Sequence, residues 1–428
     1  MSATTIASVL GRRVWDSRGR PTVEAEIVLE GGARGRAIAP AGASTGSGEA
    51  LDLRDGGAAF GGLDVRRAQA NISGEIAKAL RGTDAADQAA VDKILLALDG
   101  TRNKCRLGGN AMIAASMAAA HAAAAAHGVP LWHYLSHGKA GRLPLPEIQI
   151  FGGGAHAARR VDVQDFMILC PRAKNFAEAL DLTAQVYAAA GKLLAERGLL
   201  QGVADEGGYW PAFASNEEAL DMLVRAIESA GFSPGADVAI SLDIAASSFG
   251  DKGRYRLALD NRELDSDGLI ELLGRWIGRY PIVSVEDPVA EGDVEGFRRF
   301  TKAYGARVQV VGDDFLVTNA ARVREAAASK AVTAALIKPN QAGTLTETYA
   351  ALTAARDAGL GTIVSARSGE SEDTTIVHLA VGWDAGELKV GSFSRSERMA
   401  KWNEALRIEE ALGPAARFAG GAALLNMR

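Results

Sequence analysis

Six charged residues each end a short apolar run in the second half of the chain. In chain order they are Asp243, Glu286, Asp313, Lys338, Arg367 and Lys389. Successive members are 43, 27, 25, 29 and 22 residues apart, intervals that suit a strand, a crossover helix and the next parallel strand. Because the carboxyl ends of barrel strands meet at one face, we expect the six side chains to converge there as an active site.

Three of the six residues are acids. Asp243, Glu286 and Asp313 would form an oxygen cage for a hard cation, and Mg²⁺ is favoured over Ca²⁺ because it binds a few carboxylates together with waters and substrate oxygens. Zinc is disfavoured, since the chain has only 6 histidines and none lies near these acids. The pattern predicts a magnesium site, with a solvated strand-end charge as the alternative for any single acid.

Lys338 follows the third acid by one strand and one helix. A lysine whose pKa is lowered by nearby cations can act as a general base and take a proton α to a carboxylate. A salt bridge to the acids is the alternative role for this lysine. Glu206, within Asp205–Gly208, can protonate a leaving group, although acidic residues before Gly-Gly are also common in turns.

The first part of the chain has the pattern of a small α+β domain. Pro21–Leu29 alternates apolar and polar residues as a half-buried antiparallel strand does. Residues 40–48 have the small side chains of a loop, and a helical pattern extends from about residue 73 to residue 127. We predict that residues 1–138 form this domain.

From Leu143 onward, short apolar runs alternate with helical segments. Six such units, with two earlier strands near Pro146–Ile150 and Asp165–Leu169, make about eight strands. We therefore predict an α/β chain whose residues 139–428 form a C-terminal (β/α)8 TIM-type barrel carrying the active site.

Composition limits the other function classes. The 428 residues are 48% hydrophobic and 23% charged, as expected of a folded globular protein. The net charge is −5, and no basic stretch is dense enough to predict a nucleic-acid partner. Two cysteines are typical of a reducing compartment. The N-terminus lacks a signal-peptide run, and the window Ala111–Ala126 is too short to span a membrane. We expect a cytoplasmic protein with no membrane partner.

Eight segments resemble motifs of the enolase family. They are Asp16–Glu24, Gly42–Gly46, Asp205–Gly208, Ser284–Pro288, Val311–Asp314, Lys338–Gln341, Arg367–Glu370 and Ser394–Arg398. The resemblance covers nearly the whole chain, and several of the motifs are long and family-specific. It implies an enolase-like barrel preceded by a capping domain with a lid loop. It also implies Mg²⁺-dependent lyase chemistry, with two ions at each site, and a homo-oligomer, either a dimer or an octamer.

The resemblance also implies a role for individual residues. Asp243, Glu286 and Asp313 correspond to the ligands of the tightly held Mg²⁺, and Ser44 to the lid serine that joins a second Mg²⁺ on closure. Lys338 corresponds to the base and Glu206 to the acid. The positions that correspond to substrate contacts are His156, Gln164, Asp165, Arg367, Ser368 and Lys389.

The sequence departs from the family pattern near the expected site. Alanine at position 366 replaces a histidine, Asp165 replaces a glutamate, Ala41 replaces a serine and Gly48 replaces a histidine of the lid. Gly152 replaces an asparagine before His156. Each change removes bulk or hydrogen-bonding capacity, whereas the metal ligands, base and acid remain.

The pattern of substitution favours a retooled paralogue with room for a larger substrate. The best match is the subfamily that forms carboxyphosphonoenolpyruvate in phosphinothricin (bialaphos) biosynthesis, by elimination from a small anionic phosphate or phosphonate carboxylic acid. An ordinary enolase, which dehydrates 2-phosphoglycerate, is the first alternative. A non-catalytic enolase-fold binding protein is the second, and retention of the ligands and base disfavours it.

Overall fold

The computed structural model describes residues 2–139 and 141–424. The predicted domains, 1–138 and 139–428, also include residues 1, 140 and 425–428, which lie outside the described residues. The N-terminal part begins with an antiparallel three-stranded meander in chain order. The central strand has the bounds predicted from its alternation. The strands are Ile6–Trp15, Pro21–Leu29 and Arg34–Ile38.

Helices pack on one side of this meander. They span Arg66–Asn71, Ala77–Leu80, Gln88–Asp99, Gly109–Ala126 and Leu131–Leu135, with a π-helical turn at Ile72–Ile76 joining the first two. The alanine-rich helix Gly109–Ala126 is buried along most of its length. It approaches the third strand so closely that a Cβ on Gly35 would lie 2.1 Å from the backbone nitrogen of Ala122. Among the described residues, no helix is long and apolar enough to cross a membrane.

Eight strands close into a barrel surrounded by helices, which confirms the predicted α/β barrel. The first strand pairs with the last to complete the ring. The strands are Leu145–Gly152, Asp165–Leu169, Ala239–Asp243, Ile282–Glu286, Gln309–Gly312, Ala334–Ile337, Gly361–Ser365 and Glu387–Ser392.

The second barrel strand, Asp165–Leu169, runs antiparallel to both of its neighbours. The parallel direction expected of the six later strands therefore does not extend to this strand. The reversal has a direct consequence for the site: Asp165 begins its strand, yet it pairs with Asp243, which ends the neighbouring strand. A residue at the start of an antiparallel strand thus lies at the same mouth as the strand-end acids.

Helices outside the barrel complete the C-terminal part. They span Phe176–Glu196, Asn216–Ser229, Ser266–Arg279, Val294–Tyr304, Ala320–Ala328, Pro339–Ala342, Leu345–Asp357, Thr375–Gly382 and Ser396–Leu412. Short additional strands form a hairpin beside the first barrel strand, a small three-stranded sheet and a two-stranded pair. They are Leu200–Val203, Tyr209–Pro211, Gly250–Asp251, Arg254–Leu257, Arg262–Asp265, Arg142–Leu143 and Arg417–Phe418.

Candidate metal and substrate site

Two of the predicted metal ligands end neighbouring strands in register. Asp243 and Glu286 pair directly, and both are almost fully buried. The Nζ of Lys389 lies between them, 3.1 Å from Asp243 Oδ2 and 2.7 Å from Glu286 Oε2. Lys389 lies within the last strand rather than at its end, because that strand continues to Ser392.

The third predicted ligand, Asp313, follows the strand Gln309–Gly312 and contacts the other lysine. Its Oδ2 accepts a hydrogen bond from Nζ of Lys338, and its Oδ1 accepts one from Nε2 of Gln341 at 2.9 Å. Burial lowers the pKa of the Lys338 amine, but the charges of Asp313 and Glu286 act in the opposite direction, and the net shift is upward. With Asp313 as its partner, Lys338 is a cation.

Three buried acids face two lysines at the mouth. Glu286 Oε1 is buried without a hydrogen-bond partner. Burial and the neighbouring Asp243 raise the pKa of Glu286 well above its usual range. An orphaned carboxylate oxygen among three buried acids fits a hard divalent cation, which takes oxygen ligands. Asp243, Glu286 and Asp313 would hold such an ion.

Asp287 and Asp314 belong to the same acidic region and were not predicted. Asp287, Asp313 and Asp314 each offer an oxygen within 4.8 Å of the others. The Asp287 carboxylate accepts the backbone N–H groups of Asp313 and Asp314, at 3.0 and 2.9 Å. These bonds fix the turn that carries Asp313. In the sequence, Asp287 and Asp314 each follow a predicted ligand directly and lie within the motifs Ser284–Pro288 and Val311–Asp314.

The anion-binding side of the site is formed by Arg367 and Ser368, both buried. Arg367 donates from Nη1 to Glu49 Oε2 at 3.0 Å and to Asn340 Oδ1 at 3.1 Å. Its Nη2 donates to the carbonyl oxygen of Ser44 in the lid, at 2.8 Å. The guanidinium therefore links the barrel mouth to the lid. Glu49 was not predicted, because its partner is distant in the sequence.

A histidine and two acids face this anion side. His156 Nδ1 lies 3.0 Å from Asp165 Oδ1, and its Nε2 lies 3.0 Å from Ser368 Oγ and 3.5 Å from Glu206 Oε1. Burial alone would lower the pKa of His156, but the charges of Asp165 and Glu206 raise it to about 9. The imidazole is therefore positively charged and can bridge these acids to a bound anion.

Two glutamine side chains orient the acids of this cluster. Gln164, a predicted site residue, lies at the mouth and donates from Nε2 to Asp243 Oδ2 at 2.9 Å. Gln149, which was not predicted, donates to Asp165 Oδ1 and accepts the backbone N–H of Gly208 at 2.8 Å. Because Gly208 follows Glu206 closely, Gln149 ties the acid-bearing turn to Asp165.

Glu206 lies in the turn between the short strands Leu200–Val203 and Tyr209–Pro211. Its motif comes after the helix Phe176–Glu196, with the strand Leu200–Val203 between them. Gly207 adopts φ +93° in this turn, a conformation that glycine reaches without strain. The turn points Glu206 into the cavity that Lys338 also lines.

That cavity is nearly closed, with an open volume of about 20 Å³. Its lining includes most of the predicted site residues, together with alanine at position 366: Ser44, His156, Gln164, Asp165, Glu206, Asp243, Lys338, Ala366, Arg367, Ser368 and Lys389. Glu286 and Asp313 lie beneath it and contact the two lysines.

Four of the substitutions were expected to leave space for the substrate: Ala41, Gly48, Asp165 and Ala366. Of these, Asp165 and Ala366 border the cavity. Ala41 instead forms a β-bridge with Gly369, and Gly48 faces Arg322. The expectation that all four leave space for substrate is therefore wrong for Ala41 and Gly48. Glycine at position 152 allows a close approach, since a Cβ there would lie 2.5 Å from the Cβ of Ala204.

Comparison with known families agrees with this architecture. Residues 6–135 match the model described as "Enolase, N-terminal domain", and residues 140–427 match "Enolase, C-terminal TIM barrel domain". Together the two matches cover nearly the whole chain. They support an enolase-type, Mg²⁺-dependent lyase reaction in general, and the buried acids of the mouth fit that ion. The chain belongs to the enolase family.

Proposed function

We propose that this protein removes an α-proton and eliminates a β-substituent from a phospho- or phosphono-glycerate-type acid, giving an enolpyruvate. The leading assignment is carboxyphosphonoenolpyruvate synthase. The proposal rests above all on the convergence of Lys338, Glu206, Arg367 and Ser368 on one small cavity. A base, an acid and an anion grip in one cavity are the groups that such an elimination needs.

Each group has a defined task in this proposal. Lys338 takes the α-proton on Nζ when its amine is neutral. A cation held by Asp313 would weaken the contact that raises the pKa of this amine. Glu206 gives a proton to the leaving group, and the adjacent His156 stabilises its carboxylate afterwards. Arg367, Ser368 and His156 bind the phosphorus-bearing anion. When bound, Mg²⁺ would stabilise the negative charge that develops on the substrate carboxylate.

Two residues support a substrate other than 2-phosphoglycerate. Ala366 replaces a histidine at the cavity wall, and Asp165 carries a carboxylate one methylene shorter than glutamate. Both side chains are smaller than the family residues that they replace, and both line the cavity beside Arg367 and Ser368. An additional carboxyl on phosphorus, as in a phosphonoformyl-type acid, would need the room that smaller side chains provide.

Ordinary enolase activity is the second candidate, and the size of the cavity favours it. The cavity has an open volume of only about 20 Å³, far below the usual range of ligand sites, so a compact three-carbon phosphate needs less rearrangement of the site than a bulkier acid. Every residue with an assigned mechanistic role is also present. The two candidates therefore differ in substrate and not in reaction type.

The test is the ratio of kcat/KM for 2-phosphoglycerate and for a phosphonoformyl-type glycerate, measured with Mg²⁺. We expect efficient enolpyruvate formation from the bulkier acid and weak turnover of 2-phosphoglycerate. A kcat/KM of roughly 10⁴ M⁻¹s⁻¹ or better for 2-phosphoglycerate would instead identify an ordinary enolase. No turnover of either acid would favour a non-catalytic binding protein.

The remaining proposals follow from the family. We propose a homo-oligomer, a dimer or an octamer, which sedimentation can measure. We also propose a cytoplasmic location. In addition, we propose two domains divided near residue 138, a boundary that limited proteolysis can test.

A further inference from the structure

A fully buried arginine lies behind the anion-binding side of the site. Arg398, in the last helix (Ser396–Leu412), has 0% exposure. Its Nη1 donates to the carbonyl oxygens of Arg367 at 2.7 Å and Val390 at 2.8 Å, and its Nη2 donates to that of Ser368 at 2.5 Å. One guanidinium therefore holds three backbone carbonyls from the two segments that carry Arg367 and Lys389.

These bonds orient more than the carbonyl groups. Because a trans peptide is planar, its N–H points away from its C=O. Holding the carbonyls of Arg367 and Ser368 thus also sets the directions of the N–H groups of Ser368 and Gly369. The Gly369 N–H donates to the carbonyl oxygen of Ala41 in the lid, at 2.9 Å. Arg398 is therefore connected to the lid through one peptide unit.

A second buried cation holds the far end of the same segment. Lys401 has 0% exposure and donates from Nζ to the carbonyl oxygen of Ser371 at 2.8 Å. It also lies 3.0 Å from Glu370 Oε2, while Glu370 Oε1 accepts the backbone N–H of Arg367 at 3.0 Å. Arg398 and Lys401 are three residues apart, so they lie on the same face of the helix.

Burying two cations is costly unless they are well compensated. Apolar side chains could fill this space, but they could not direct backbone carbonyls. The planar guanidinium fork suits several acceptors at fixed angles, whereas a lysine offers a single point charge. The arrangement is therefore explained by orientation of the backbone and not by packing alone.

We propose that Arg398 is a positioning residue for the anion-binding segment Arg367–Ser371 and for docking of the lid, with Lys401 as the second anchor. Neither side chain lines the substrate cavity. The identity of the anion rests on the proposed function, whereas the link to the lid does not.

The test compares Arg398→Lys with the wild type and with Trp402→Phe. Trp402 is a matched control, because it is also fully buried on this helix but donates to the carbonyl oxygen of Ser392, outside the segment. The readouts are the Kd of inorganic phosphate in the presence of Mg²⁺, the rate of nicking in the lid (residues 40–48) by a broad-specificity protease, and thermal unfolding.

In Arg398→Lys we expect a phosphate Kd raised about tenfold or more, and faster nicking of the lid. Trp402→Phe should lose thermal stability but keep the wild-type Kd and nicking rate. A folded Arg398→Lys with wild-type values of both would overturn the proposal. If Arg398→Lys does not fold, Lys401→Gln replaces it, with the same expectations and the same overturning result.

The two proposals can fail separately. If the wild type binds no phosphate but Arg398→Lys still exposes the lid, the positioning role stands and the proposed anion is wrong. If the wild type binds phosphate and the variant changes neither readout, the positioning role is wrong and the proposed function stands.

Discussion

Gly48 lies directly against Arg322, so that a Cβ on the glycine would be 2.7 Å from Nη2 of the arginine. That same nitrogen donates to the carbonyl oxygen of Ser47 at 2.9 Å, and the N–H of Ser47 donates to Glu291 Oε2 at 2.8 Å. Gly48 also adopts φ +104°, which other residues reach only with strain. The glycine therefore allows the barrel to hold the base of the lid.

We predict that Gly48→Ala lowers stability by about 1–3 kcal/mol, the cost of a strained backbone conformation, and raises KM because Arg322 is displaced from Ser47. Gly57→Ala is the matched control: Gly57 has φ +72°, but a Cβ there meets nothing within 4 Å. The Gly57→Ala variant should lose stability without a change in KM. Equal KM values in the two variants would mean that Arg322 does not hold the lid.

The acids of the mouth should be essential for turnover. Asp243→Asn or Asp313→Asn removes a charge from the predicted Mg²⁺ cage, so we expect activity to be lost while the far-ultraviolet circular dichroism stays unchanged. EDTA should abolish activity, and added Mg²⁺ should restore it. Asp267→Asn, a surface acid paired with Arg299, serves as the control. Full activity in EDTA would contradict the metal-assisted reaction.

The base and the acid should separate in an exchange experiment. Lys338→Ala should stop exchange of the substrate α-proton with solvent, because no other assigned group takes that proton. Glu206→Gln should retain the exchange but slow elimination by about 10²–10⁴-fold, the usual contribution of a positioned acid. Exchange is followed by NMR in deuterated buffer. Loss of exchange in both variants would mean that the two roles are assigned wrongly.

Substrate preference should depend on position 366. Ala366→His returns a large side chain to the cavity wall and should shift the kcat/KM ratio toward 2-phosphoglycerate. Adding Asp165→Glu should increase the shift, but Asp165 is completely buried, so the extra methylene should cost about 1–3 kcal/mol of stability. Because Gly48 faces Arg322 and not the cavity, Gly48→His should lower kcat/KM for both substrates alike and leave their ratio unchanged. A shift in the Gly48 variant alone would contradict this geometry.

Glu387 should make stability depend on pH. Burial and the neighbouring Glu147 raise the pKa of Glu387 from 4.5 to about 8. An acid with a raised pKa takes up a proton on folding, so the free energy of unfolding should fall as pH rises from 4.5 toward about 8. Glu387→Gln should remove much of this fall. Urea unfolding across this pH range measures it, with the exposed acid variant Glu271→Gln as the control. An unchanged pH dependence in Glu387→Gln would contradict the raised pKa.

Local pattern was sufficient to predict much of the scaffold. The bounds of Pro21–Leu29 and Asp165–Leu169 agree with the structure, because side-chain alternation and short apolar runs are typical of strands. The spacing of the strand-end charges also predicted that Asp243, Lys338 and their partners would meet, since parallel strands place their carboxyl ends together.

The direction of the strand Asp165–Leu169 was decided only by the tertiary structure. An apolar run predicts a strand but does not indicate the direction in which the strand runs. No local feature of the sequence shows that Asp165 begins an antiparallel strand. The same holds for the contacts of Gly48 with Arg322 and of Arg398 with Arg367. Such pairs are distant in sequence and leave no periodic signal, so they become visible only when the barrel closes and brings the helices and lid against its mouth.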